Sequence, residues 1–298
     1  MAGNTFLNDY MQKRFCCKVY KLSLNGGMTC PNRDGKTGSR GCIFCSQGGS
    51  GEFAAPAHLS IQSQILDRKK LLRRKLKNFD SVKYFAYFQA FTNTYAPVDR
   101  LKLLYGEALE PEDVVGLSIG TRPDELPPAV LSLLEELVRD SGKEIWVELG
   151  LQTIHEKTAS YIRRGYRLCC FEEALSVLNA IGVKVVVHVI FGLPGETAED
   201  MLATVEYLSG KDIFGIKLQN LQILRGTDLE QEYMQGKVSV LTMDEYVNLV
   251  RRSLDILPEA VVVHRITGDP PGNLLIAPQW CRNKRKVMNA CLKGKNII

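Results

Sequence analysis

An α/β fold built on one parallel sheet is predicted by three observations. Short runs rich in Val, Ile, Phe and Tyr alternate with amphipathic helical patterns at intervals of roughly 30–40 residues, the rhythm of successive βαβ units. No low-complexity tract, long Pro/Gly/Ser linker or solenoid-type repeat divides the 298 residues. Polar side chains recur on one face near the ends of consecutive strand-like runs, as they would around a shared interior. Six or so βα units fit a partial or complete barrel better than two separate domains, and a doubly wound open sheet is the other arrangement.

The strand-like runs are 17–24, 82–89, 114–121, 145–151, 183–191, 213–222 and 261–266. Most are near-continuously apolar, as strands buried on both faces are. Between them, the stretch 127–140 opens with Pro127 and Pro128, which a first helical turn tolerates, and aligns Val130, Leu131, Leu134, Leu137 and Val138. In 171–181, Phe171, Ala174, Leu175, Leu178 and Ile181 share a face, and Gly182 follows as a stop. Thr197 is suited to cap a helix that turns Met201, Leu202, Val205 and Leu208 inward. The segment 59–77 reads as a very basic helix and 243–256 as a late one.

Residues alternate faces along a strand. In 145–152, Ile145, Val147, Leu149 and Leu151 form one face, and Glu148, Gly150 and Gln152 end the other. Ser118, Gly120 and Arg122 end the polar face of the third run, and Gln89 follows Phe85 and Tyr87 in the second. Lys184 and His188 share a face in the fifth, and Lys217 and Gln219 in the sixth, with Asn220 and Gln222 opposite. The apolar faces belong against helices. The polar faces therefore point inward and gather at the strands' C-terminal ends, where barrel active sites lie.

Composition narrows the function classes. Apolar residues make up 45% and charged residues 24%, which excludes a mainly disordered chain. No apolar run reaches the ~18 residues of a membrane span, and the start lacks an apolar signal core, so a cytoplasmic address and no membrane partner are expected. The net charge of +5 permits a polyanionic partner without requiring one.

There are nine cysteines, an odd number, and in a reducing compartment they point to metal ligands or small core residues. Cys30, Cys42 and Cys45 stand at C-x11-C-x2-C directly after the first strand, in a loop containing Pro31, Gly35, Gly38 and Gly41. Structural zinc needs a fourth ligand, which here would be His58, Cys16 or Cys17. A fully protein-ligated iron–sulfur cluster also needs four. Three cysteines suit a 4Fe-4S cluster with one iron open to a small molecule, and unrelated loop cysteines are a further reading. The stretch Gly49 to Ala54 formally fits G-x-G-x-x-A, but it follows a loop rather than a strand, and no P-loop pattern occurs. Cys16, Cys17, Cys169, Cys170, Cys281 and Cys291 lack close ligand spacing and read as small buried residues.

The triplet after strand one, with the runs CPNRDG, GCIFC, YFQAFTNTYAP, GLSIGTRPD, VELGLQT, HVIFGLPGET and HRITGDPP, resembles the radical S-adenosylmethionine (SAM) superfamily. Within it, these runs are most similar to the Elp3-like branch and its bacterial YhcC/YtqA (MnmL) subgroup. The commonest family spacing is C-x3-C-x2-C, and the Elp3-like branch tolerates a longer first gap. The matching stretches run from Cys30 to Pro271.

The resemblance implies a single domain, 1–298. Its core, about 17–257, would be a partial TIM-type (βα)6 radical SAM barrel, with a short N-terminal extension and a C-terminal one at about 258–298. It implies that Cys30, Cys42 and Cys45 ligate a 4Fe-4S cluster whose open iron chelates SAM. One electron then splits SAM into methionine and a 5′-deoxyadenosyl radical that takes a hydrogen atom from the substrate. Gln89 would contact the methionyl amino group, Glu148 the ribose hydroxyls, with Gln152 one layer higher. Arg163 or Arg164 would pair with the SAM carboxylate, His188 would contact SAM or substrate, and Phe44 would shield the cluster.

The same resemblance implies a tRNA partner. Elp3-like enzymes act mainly at C5 of the wobble uridine, and the YtqA-type members are linked to converting 5-carboxymethylaminomethyluridine to 5-aminomethyluridine. A reductant such as flavodoxin or ferredoxin is implied, and no acyl transfer. Two basic clusters suit RNA phosphates: 68–77, with Arg68, Lys69, Arg73 and Arg74, and a C-terminal run with Lys284, Arg285 and Lys286 that continues to Lys293 and Lys295. Trp280 beside the second would stack on an unpaired base. The alternatives are a radical SAM enzyme acting on a small metabolite or peptide, and a non-catalytic zinc-stabilised RNA-binding protein.

Overall fold

The computed structural model describes residues 4–74 and 82–294. Lys75 and Lys77 of the first basic run, and Lys295 of the second, lie outside the described residues. In chain order the elements are α1 (Leu7–Phe15), β1 (Val19–Leu24), α2 (Ile61–Arg73), β2 (Lys83–Phe88), α3 (Val98–Leu109), β3 (Val114–Thr121), α4 (Pro128–Asp140) and β4 (Glu144–Gln152). There follow α5 (Glu156–Tyr161), α6 (Leu168–Ala180), β5 (Lys184–Phe191), α7 (Ala198–Ser209), β6 (Gly215–Asn220), β7 (Ile223–Leu224) and α8 (Asp228–Met234). The last are α9 (Met243–Ile256), β8 (Val262–Arg265), β9 (Leu275–Ala277) and α10 (Lys284–Leu292).

Seven strands form one parallel sheet in the order β1-β2-β3-β4-β5-β6-β8. Every one of the seven predicted strands is present. The seventh, β8, falls in the stretch expected as a C-terminal extension, so the sheet runs past residue 257. β7 and β9 pair as a small antiparallel ribbon that the sequence pattern did not indicate, because two- and three-residue strands show no periodicity.

Two helices open on capping boxes. Thr197 accepts from the backbone of Asp200 while Asp200 returns a bond, a capping box that opens α7. Thr242 and Glu245 do the same for α9. The sheet's outward faces and the inward helix stripes make the main core, with Leu22, Phe88, Ile119, Val147 and Val187 packed with Leu101, Leu134, Phe171, Val205 and Tyr246.

The sheet is curled, and its interior contacts measure the curl. Lys217 Nζ on β6 lies 3.4 Å from Tyr87 Oη on β2. In a flat sheet those strands would stand about 19 Å apart. The barrel is open between its first and last strands: among the described residues no ladder joins β8 to β1. The N-terminal segment covers part of that edge, with Val263 donating to the Thr5 carbonyl at 2.9 Å.

The end of the barrel at the strands' N-termini is plugged. Trp146 is fully buried, 4.1 Å from the Phe85 ring and 5.1 Å from Phe214, and Tyr10 from α1 closes over Phe214 at 5.0 Å. Glycines make the room: a Cβ on Gly116 would strike the Phe85 ring, and one on Gly215 would come within 2.6 Å of His264. Glu144 ties the plug together, accepting from Tyr10 (2.9 Å), Arg14 (2.8 Å) and Trp146 Nε1 (2.9 Å), with Lys184 Nζ at 3.0 Å. Trp146→Ala should therefore cost about 3–5 kcal/mol, read as a lowered urea midpoint. A loss below ~1 kcal/mol would show that the plug is not close-packed.

Candidate active site

Above the plug, the strands' C-terminal ends open on a cavity of about 740 Å³. Its lining includes Cys30, Cys42, Cys45, Gln89, Glu148, Gln152, Arg164 and His188, so eight of the nine residues expected at the cluster and SAM sites share one space.

The floor is a buried ionic cluster. Glu148 is 1% exposed. Its Oε1 accepts from Lys21 Nζ at 2.7 Å and Ser118 Oγ at 2.6 Å. Its Oε2 accepts from His188 Nε2 at 2.7 Å and from Lys217 Nζ. Burial pushes the Glu148 carboxyl up, and Lys21, Lys217 and His188 overcome this, holding it well below the usual carboxylate range. Burial and the neighbouring Lys217 push His188 down to about 4, against the pull of Glu148, so the imidazole is neutral at pH 7 and donates through Nε2. Burial pushes Lys217 down to about 7, with Lys21 and Arg265 adding to the fall.

The mouth is the cysteine loop. All three thiols are free and half-buried. Gly41, at φ 72°, donates to the Asn32 carbonyl at 2.6 Å and folds the loop back, so that Cys42 returns toward Cys30. The Asn32 amide donates to the Arg163 carbonyl at 2.6 Å and approaches Cys42 Sγ at 3.6 Å. Arg33 clasps the Cys45 carbonyl at 2.9 Å and lies over the Phe91 ring at 5.6 Å. Burial, then Cys45, push the Cys42 thiol up to about 12, so this thiol gains its anionic form only beside a strong cation such as iron.

Three soft thiols with no fourth protein ligand fit a cluster that leaves one iron open. Among the described residues no three His, Cys, Asp or Glu side chains converge closely enough to hold a single metal ion. Cys16 and Cys17 precede β1 and stand at its opposite end from the loop, and His58 does not line the cavity. None of these three therefore lines the cavity beside Cys30, Cys42 and Cys45.

Several expected contacts are corrected. Arg163 does not line the cavity; its guanidinium pairs with Asp228 on α8 at 2.6 Å. Arg164 is 1% exposed and donates to the carbonyls of Leu151 (3.1 Å), Thr153 (2.6 Å) and Tyr166 (3.0 Å), which braces the end of β4, while its Nη2 makes no hydrogen bond and lies 3.6 Å from Glu156. Glu148 has both oxygens filled by protein donors, where free acceptors for ribose were expected. Gln89 donates to the Ser50 carbonyl at 2.9 Å and pins the glycine-rich loop beside the mouth. Gln152 caps β4 at φ 64°.

The RNA-facing set changes as well. Lys69 pairs with Asp113 at 2.6 Å, and Arg68 donates to the Phe53 carbonyl at 3.3 Å. Trp280 donates to the Leu241 carbonyl at 2.9 Å and packs 5.2 Å from Tyr246, so it is a wall residue rather than a free stacking platform. Arg73, Arg74, Arg285 and Lys286 are exposed. Lys284 reaches the cavity rim and pairs with Asp269 at 2.7 Å.

Sequence reasoning did not assign Lys21, Tyr87, Arg122, Tyr166 or Arg265. The face pattern already held Arg122 and Lys217. Lys21 sits at the matching position in β1, between Val19 and Ser23, and was legible by the same rule.

Because His188 binds its proton less readily folded (about 4) than unfolded (about 6.5), the unfolded chain holds more protons between those values. Stability should therefore rise with pH across that window, by at most about 1.4 kcal/mol per unit from this residue. His188→Asn should flatten the rise in urea titrations; an unchanged slope would mean that His188 is charged in the native state.

Comparisons with known proteins agree with this architecture. The chain matches the Radical SAM superfamily over residues 34–208 and the Radical SAM C-terminal domain over 213–294. It is 44% identical to the uncharacterized protein YtqA of Bacillus subtilis, covering 96% of this chain and 88% of that one, and 38% identical to YhcC of Escherichia coli, covering 94% and 88%. A more distant relative, the tRNA uridine(34) acetyltransferase of Dehalococcoides mccartyi, is 30% identical over 55% of this chain and 35% of its own. The structure of Methanocaldococcus infernus Elp3 superposes with a TM-score of 0.68 at 19% identity, over 91% of this chain and 62% of that one. Members of this family work with a 4Fe-4S cluster and SAM, and the three-thiol mouth fits that pair. The extent of these matches places the chain in the radical SAM superfamily.

Proposed function

We propose that this radical SAM enzyme holds its 4Fe-4S cluster on Cys30, Cys42 and Cys45 and modifies the wobble uridine of tRNA, converting 5-carboxymethylaminomethyluridine to 5-aminomethyluridine. The observation that carries the cluster assignment is selective placement: of nine cysteines, only these three line the cavity. When bound, the cluster and SAM supply a 5′-deoxyadenosyl radical for hydrogen abstraction.

The chain's own residues bind, orient and exclude water. Phe44 and Phe91 line the mouth and limit solvent at the thiols. Gln89 and Gln152 stand at the ends of β2 and β4 as neutral donors and acceptors for SAM. His188 belongs to the floor, where it holds Glu148. The rim of Arg265, Arg282 and Lys284 carries three cations near one carboxylate, Asp269, and suits a phosphate backbone entering above the cavity. Exposed Arg73, Arg74, Arg285 and Lys286 extend the same charge. The tRNA reading is further supported by the relative named for uridine 34 and by the Elp3 likeness. A small acidic electron carrier such as flavodoxin or ferredoxin is the proposed reductant.

Anaerobic reconstitution should load about four irons per chain and give SAM cleavage. Cys30→Ala, Cys42→Ala and Cys45→Ala should each abolish both, while Cys169→Ala retains them. Cleavage surviving in any of the first three removes that residue from the ligand set. Mass spectrometry of tRNA nucleosides from cells without the gene should show the carboxymethylaminomethyl form accumulating. An unchanged profile would overturn the tRNA assignment.

A further inference from the structure

The cavity floor sets two lysines on a single acid, and burial lowers the pKa of both, so a second full ammonium there calls for a further anion beside it. Lys21 and Lys217 share the single carboxylate of Glu148. Four donors already fill that carboxylate: two lysines, Ser118 and His188. The other groups facing this space do not supply a counter-charge. His188 is neutral, and Tyr87 keeps its proton because burial, then Glu148, raise its pKa. His264, beneath, is likewise neutral, with burial as the main cause. Arg265 adds a cation, and its partner Asp269, at 3.3 Å, is shared with Lys284.

The two lysines are not equivalent. Both lie over the Tyr87 ring, Lys21 at 4.8 Å and Lys217 at 4.7 Å, and Lys21 also lies 5.1 Å from the Trp146 ring, but Lys21 does not line the cavity. Lys217 does line it. Its ammonium has three donors, of which one goes to Glu148 and one approaches Tyr87 Oη at 3.4 Å. The third has no protein acceptor among the hydrogen bonds of the described residues. A buried ammonium without a full counter-ion is costly, and a bound anion relieves that cost. Gln219, two residues up the same strand, lines the space directly above.

We propose that Lys217 forms a carboxylate-binding subsite at the floor of the cavity, which takes the acidic end of the substituent on the substrate uridine. This rests on the tRNA reading above and deepens it. The subsite would distinguish the carboxymethylaminomethyl substituent from its product, which lacks the carboxylate, and so favours product release.

The test is equilibrium binding to wild-type holoenzyme, loaded with cluster and SAM, of the nucleoside 5-carboxymethylaminomethyluridine and of its neutral carboxamide. The acid should bind roughly tenfold tighter or more, as a charge-assisted hydrogen bond gives. Lys217→Met should erase that preference, and Lys217→Arg should keep a preference for the acid. Equal binding of acid and amide to the wild type, a comparison that needs no variant, overturns the subsite, as does a preference that survives in Lys217→Met. If neither nucleoside binds, the tRNA reading fails instead. The subsite is then judged with N-methylglycine against its amide: a preference for the carboxylate that Lys217→Met abolishes upholds it, and no preference overturns it.

Discussion

The carboxylate of Glu148 joins five of the seven strands from inside the barrel. Lys21 comes from β1, Ser118 from β3, His188 from β5 and Lys217 from β6, and all meet its two oxygens. Such a cluster adds little net stability, because desolvating the charges offsets most of their attraction. Its effect is geometric. The donors reach one carboxylate only when the sheet is curled, and the curl that brings them together also turns the strands' C-terminal ends toward one another. The cysteine loop and the glutamines at those ends face a common space for that reason.

The two ends of the barrel are built to opposite purposes. At the lower end, aromatic rings from β2, β4 and α1 fill the space, and Glu144 collects the hydrogen bonds that buried Tyr10 and Trp146 need. At the upper end, glycines at the strand termini and in the cysteine loop leave the space open. The plug keeps water from the floor, and a floor shielded from water strengthens every charge placed there. The electrostatics of Lys217 and His188 therefore depend on Trp146, although it touches neither the cavity mouth nor a ligand-binding group.

Legibility differed by element for physical reasons. The parallel strands were readable because both of their faces are buried, which leaves apolar runs bounded by turn residues. The polar interior was readable because side chains alternate strictly. Roles for single residues were not. Arg163, Arg164 and Trp280 carry the chemistry expected of ligand contacts, yet Asp228, the carbonyls of Leu151 and Thr153, and the Leu241 carbonyl already engage them. Those partners lie 11 to 65 positions away along the chain and have no spacing rule. The face rule places Lys21 inward, but only the fold shows that its partner is Glu148.

From sequence alone follow the number of parallel strands, the inward faces, and the singling out of Cys30, Cys42 and Cys45 from nine cysteines. Strand periodicity and ligand spacing are local properties, and the chain states them locally. The tertiary structure decided which polar groups are free and which are spent. A side chain's availability depends on what the fold places opposite it, and here that made Arg163 and Trp280 structural, filled both oxygens of Glu148, and left Lys217 facing the cavity.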